Sequence, residues 1–193
     1  MIKYVSKEDV RNYPLIDFKG NIHVISELAE LVNCCHIISK QTIIGFDTET
    51  KPAFKKGVSH DISVLQLSTD NDVFIFRIDK TGLDKKIVSI LSDPNVLKVG
   101  IDVKNDLIGL KKIKNFQESN FLDLNALAIQ KGFESIGAVK LCIMLLGYRI
   151  SKSQRLSDWS ADKLTDSQLQ YAAIDAWICP KILAAFKKNL LYP

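Results

Sequence analysis

Three stretches of the chain carry acidic side chains at spacings that could do chemistry. In GFDTET, Asp47 and Glu49 stand two residues apart at the end of an apolar run. If that run is a strand, its alternation puts both carboxylates on one side. Two such acids repel each other unless they share a cation or one is protonated. Hard divalent ions such as Mg²⁺ or Mn²⁺ prefer oxygen ligands of this kind. The plainer reading is an ordinary loop after a strand, where aspartate is common. In YAAID, Tyr171 and Asp175 are four apart and share one face of a helix. The small neighbours Ala172, Ala173 and Ala176 would let that helix pack closely on a strand. Its plain alternative is a core-edge tyrosine and a solvated acid. In VGIDVKNDLIGL, Asp102 is placed to cap a helix, and Asp106 falls in its first turn, where the dipole tolerates an acid. Asp123 follows a short strand and can cap the next helix. Spacing alone leaves an acidic metal site and these structural readings both open.

The elements that must position these groups follow from periodicity. GNIHVI at 20–25 reads as a strand, with Ser26 as cap of a helix carrying Leu28, Leu31, Val32 and Cys35 at helical spacing. TIIGF at 42–46 is a continuous apolar run, as in a strand buried on both faces. ISVLQLS at 62–68 and VFIF at 73–76, joined by the polar TDND, predict a hairpin. A helix over 84–91, a strand at 96–100, a helix near 104–113, a short strand at 121–124 and a helix over 135–146 follow. Thr165 and Gln168 form a capping-box pair, T-x-x-Q, at the start of the last helix. Pro180 is expected to kink or break that helix near Cys179, with KILAAFKK continuing it. Strands first, then alternating helix and strand, then helices predict an α/β or α+β domain with a mixed sheet.

Composition narrows the class. A chain of 193 residues, 47% apolar and 25% charged, suits one well-buried globular domain. Lys plus Arg number 26 and Asp plus Glu 22, a formal +4, which fits a polyanionic ligand without demanding one. Cysteines stand at 34, 35, 142 and 179 with no CxxC and no zinc-finger spacing, so free buried thiols of a reducing compartment are expected. The N-terminus MIKYVSKEDVRNYPL lacks an apolar signal core, and no apolar run approaches the ~20 residues of a membrane span. The chain is therefore read as soluble and cytoplasmic, without a membrane partner or an obligate protein partner.

Taken together, the stretches resemble the DEDD 3′→5′ exonucleases, in the branch whose third motif carries a tyrosine, and within it the ribonuclease D and Werner-type exonuclease domains. GFDTET resembles the first motif, and VSHDISVLQLST resembles the strand that follows it, which typically reads like ALIQL. KVGIDVKNDLIGL resembles the second motif, with Asp106 at its aspartate. LSDWSADKLTDSQLQYAAIDA resembles the third, with Tyr171 and Asp175 at its tyrosine and aspartate. The likeness runs over roughly 20–188. It implies a ribonuclease H-like fold: a five-stranded mixed sheet, three antiparallel strands and then parallel ones, flanked by helices. Ribonuclease D proteins often carry C-terminal helical nucleic-acid-binding domains; this chain stops soon after the third motif, so it resembles a single exonuclease domain without one. The likeness also implies metal ligands Asp47, Glu49 and Asp175 for one ion, and Asp47 bridging to a second with Asp106. Two such ions about 4 Å apart activate water and stabilise the leaving 3′-oxygen. Tyr171 would orient the water, and nucleoside 5′-monophosphates would be released.

Beside this set, Lys152 and Arg155 in SKSQRLSDWS can grip phosphates or sit in a solvated loop, and Lys55 and Lys56 follow the first motif with the same two readings. Trp159 either stacks on a base or belongs to the core; His23, His36 and His60 show no ligand spacing. The rival functions are a nuclease-like module that binds 3′ ends without cutting efficiently, an endonuclease or transposase-like relative, and a scaffold. The complete acid set and the YxxxD helix favour the exonuclease.

Overall fold

The computed structural model describes the backbone of residues 3–191 and the side chains of residues 3–188. A six-stranded sheet forms the centre, ordered β1 (Asn21–Ile25), β4 (Asp72–Arg77), β3 (Ile62–Ser68), β2 (Ile43–Thr50), β5 (Leu97–Gly100), β6 (Phe121–Asp123). β2, β3 and β4 run antiparallel, and β5 and β6 extend the sheet in parallel from β2. That is the expected mixed sheet with one addition: β1 lies parallel to β4 as a sixth strand. The helices are α1 (Leu31–Ser39), α2 (Ile78–Thr81), α3 (Lys85–Leu91), α4 (Val103–Ile113), α5 (Leu124–Gln130), α6 (Ala138–Leu146) and α7 (Asp166–Leu191). No helix among the described residues is long and apolar enough to cross a membrane.

Each face of the sheet has its own core. Ile44, Phe46, Leu65, Leu67, Phe74 and Phe76 pack with α1, α3 and α4. Val64, Val73, Ile75 and Val99 pack with α5, α6 and α7. Strand alternation therefore sends Ile44 and Phe46 to the first face and Gly45, Asp47 and Glu49 to the α7 face. β2 extends beyond the apolar run to Thr50, so Asp47 and Glu49 are strand residues rather than members of a loop.

Local signals were partly redistributed. Ser26 does not cap through its hydroxyl; the Glu30 carboxylate instead accepts from the backbone N–H groups of Ser26 and Glu27 at 3.0 Å each. Asp102 occupies the cap position of α4 with a left-handed φ of 63°, but its carboxylate is held by Asn105 Nδ2. Asp123 does that work: one oxygen accepts from the Val103 N–H at 2.9 Å and the other from Asn125 and Ala126, so a single side chain caps both α4 and α5. The helix expected from 135 begins at Ala138, after Gly137.

Pro180 does not end the last helix, which runs 26 residues through it. Proline has no N–H, so the carbonyl four residues earlier, that of Ala176, loses its helical donor. That carbonyl faces Gly45 of β2, where an added Cβ would overlap both the Ala176 carbonyl and the Ser68 hydroxyl. Ala172, Ala173 and Ala176 are all fully buried along the contact. The glycine and the alanines together let α7 lie directly against β2, which sets how near Asp175 comes to Asp47. Gly45→Ala must push the helix outward. It should destabilise the fold by about 1–3 kcal/mol, read by equilibrium denaturation; unchanged stability would show that the close approach is not required.

Candidate functional site

The acids meet at the end of β2. Oxygens of Asp47, Glu49 and Asp175 all lie within 4.8 Å of one another. Asp106 is not part of that tight trio. It comes from α4 on the other face, and its carboxylate accepts a 2.6 Å hydrogen bond from the Thr48 hydroxyl. Thr48 lies between the two acids of β2 and points opposite to them by strand alternation, so it ties α4 to the strand end. In the sequence the one signal for this threonine is its hydroxyl between two acids at a strand end.

The electrostatics are those of crowded, half-buried acids. Burial raises the Asp47 carboxyl well above its ordinary value, and the charges of Asp175, Asp106 and Glu49 add to it. Glu49 is pushed up to about 9 by burial and then by Asp175 and Asp106, with Arg155 opposing. Asp175 stands at about 7 through burial, eased by the Tyr171 hydroxyl and Lys152. Asp106 also stands at about 7 through burial, eased by Thr48. Tyr171 is raised above the ordinary phenol range by burial and the surrounding acids, so its hydroxyl keeps its proton at neutral pH. Such a cluster is stable either protonated or with a bound cation. Three oxygen-donor side chains converging on one point, with Asp106 near the same strand end, fit a hard divalent ion.

A cleft of about 240 Å³ opens over the trio, lined also by Tyr171, Lys152 and Arg155. The loop bearing these two basic residues is fastened at several points. Buried Arg77 forms a bidentate pair with Asp79 and donates to the Ala161 and Asp162 carbonyls. Lys51, just past β2, binds Asp158 at 2.9 Å. Gln168 reaches Ser157 and the Asp158 carbonyl while closing the expected capping box with Thr165. Trp159 is fully buried with its ring 5.9 Å from that of Tyr171, so it belongs to the core and does not present a stacking face. Lys55 and Lys56 are exposed in the segment between β2 and β3 and do not line the cleft. All four cysteines are free, three of them buried.

A family model described as 3′-5′ exonuclease matches residues 22–191. The chain belongs to this 3′-5′ exonuclease family. A 3′-5′ exonuclease of Arabidopsis thaliana is 27% identical over 189 residues, covering 90% of this chain and 66% of its own length. A ribonuclease D of Acidiphilium cryptum is 32% identical over 162 residues, covering 81% of this chain and 41% of its own. The EXO domain of Aedes aegypti Nibbler superposes with a TM-score of 0.82 at 23% identity, covering 92% and 93% of the two chains, a likeness of fold. The chain spans between 13% and 66% of the first curated relatives that it matches.

The acidic cleft makes stability depend on pH. These carboxyls titrate higher in the folded chain than in the unfolded one, near 4. Their stabilisation is complete below about pH 4 and is lost as pH rises through about 7 for Asp106 and Asp175 and about 9 for Glu49. The acids with depressed values, Asp72 and Asp162 among them, act at lower pH. Buried Lys98, lowered to about 8, opposes the trend only above that value. The melting temperature of metal-free protein should therefore fall between about pH 5 and 8. A divalent ion must displace the same protons, so stabilisation by Mn²⁺ should grow over that range. Parallel melting curves with and without Mn²⁺ would contradict the assignment.

Proposed function

We propose that the chain is a metal-dependent 3′→5′ exonuclease that hydrolyses nucleic-acid phosphodiester bonds from the 3′ end and releases nucleoside 5′-monophosphates. The observation that carries this reading is the convergence of Asp47, Glu49 and Asp175, with Asp106 tied to the same strand end, beneath a cleft walled by two basic side chains and a tyrosine. Asp47, Glu49, Asp175 and Asp106 would hold Mg²⁺ or Mn²⁺. When bound, divalent ions supply Lewis acidity at the phosphate and activation of water. Until a cation is present, the acids repel a phosphate.

The chain's own residues do the rest. Lys152 and Arg155 face the cleft and supply phosphate contacts by charge. Lys55 and Lys56, exposed outside the cleft, would add charge contacts to a strand leaving the site. Tyr171 keeps its proton, so its hydroxyl acts by orienting the attacking water rather than by taking a proton from it. The substrate is thus a free 3′ end whose terminal phosphodiester enters the cleft.

Matched RNA and DNA oligonucleotides labelled at the 5′ end test the reading. With Mg²⁺ or Mn²⁺, at least one should shorten as a ladder with release of mononucleotides, and EDTA should abolish the cleavage. Cleavage that survives exhaustive EDTA treatment, or cutting of a circular strand, would overturn it. Tight binding of 3′ ends without cleavage would favour the end-binding alternative.

A further inference from the structure

Gln66 is fully buried in the middle of β3, and neither its side-chain oxygen nor its nitrogen has a hydrogen-bond partner among the described residues. Its strand neighbours Val64, Leu65 and Leu67 are apolar and equally buried, so packing alone would favour a hydrocarbon at this position. A buried amide left unpaired opposes folding, and such groups in folded proteins call for an explanation.

The register supplies one. Gln66 stands directly opposite Asp47 in the antiparallel β2–β3 ladder. Residues directly opposite share a face of the sheet, with Cβ atoms about 4.5–5.5 Å apart. On the other side Gln66 pairs with Ile75, which offers no polar atom. Along β3 the residues on the same face are Val64 and Ser68. Asp47 is therefore the charged neighbour on that face, and the carboxamide is long enough to reach it.

We propose that Gln66 is a positioning residue: its amide N–H, unpaired in the metal-free chain, turns to donate to the Asp47 carboxylate when a divalent ion is bound and holds it in the orientation that the ion requires. The inference rests on the metal-dependent reading given above. A neutral amide suits the task. A lysine there would neutralise Asp47 and compete with the cation, whereas an amide orients the oxygens without adding charge. The competing account is a buried water shared among Gln66, the equally unpaired Ser68 hydroxyl and the nearby Ala176 carbonyl. It gives the amide no part in metal binding.

Gln66→Met separates the two. It keeps an unbranched side chain of similar length and removes both polar atoms. The metal-free melting temperature should hold or rise, because two unpaired polar atoms leave the interior. Affinity for Mn²⁺, titrated by calorimetry into the metal-free full chain, should fall about 10–100-fold. Cleavage should fall with it at low Mn²⁺ and recover at saturating Mn²⁺. Unchanged Mn²⁺ affinity in Gln66→Met overturns the proposal. So does failure of both Gln66→Met and Gln66→Leu to fold, since the amide would then serve the fold. Wild-type protein that binds no Mn²⁺ would instead remove the metal reading beneath it, a result distinct from an unchanged affinity in the variant.

Discussion

Like charges brought together at a strand end are the constraint around which this fold is arranged. Three carboxylates within 4.8 Å of one another, half-buried, oppose folding when all are ionised. The rest of the structure has to hold them there. α7 does so by lying against β2 through Gly45, Ala172, Ala173 and Ala176, a contact with no room for a Cβ at the glycine. Pro180 belongs to the same device, because it leaves the carbonyl that meets the strand without a helical donor. From the opposite face, Asp123 fixes the start of α4 and Thr48 fixes Asp106. The positions of the acids thus follow from close packing and caps, since their mutual interaction drives them apart.

The cleft's basic wall depends on a second set of ties. Lys152 and Arg155 are exposed and sit in an irregular loop, which by itself would place them loosely. Arg77, Lys51 and Gln168 fasten the following residues, 157–162, to the sheet and to the start of α7. The helix that carries Tyr171 and Asp175 and the loop that carries the cations are therefore anchored at one joint, the Thr165–Gln168 capping box. Acids and bases are positioned relative to each other by the same few hydrogen bonds.

Much of this was legible in the residues. The strand runs, the hairpin, the capping box and the acid motifs are local patterns, and periodicity or spacing identifies them. What was not legible depends on partners far apart in the chain. Asp123 reads as the cap of its own helix, but its second oxygen serves Val103, which only the β5–β6 pairing brings near. Asp102 stands where a cap is expected, yet its left-handed backbone turns its carboxylate to Asn105. Pro180 signals a break when read alone; the packing of α7 on the sheet overrides it. β1 was recognisable as a strand, but its place beside β4, which makes a sixth strand, is a tertiary outcome. Asp106 matches its motif, while its separation from the tight trio follows from α4 lying on the other face.

If the acids are held together against their repulsion in order to bind a cation, neutralising one of them should strengthen the empty protein and abolish its response to metal. The direct measurement is equilibrium unfolding of wild type and Asp175→Asn at neutral pH, in EDTA and in Mn²⁺. The account predicts that Asp175→Asn is at least as stable as wild type in EDTA and gains little from Mn²⁺, whereas wild type gains clearly. A variant that is less stable in EDTA yet keeps the full Mn²⁺ gain would contradict it.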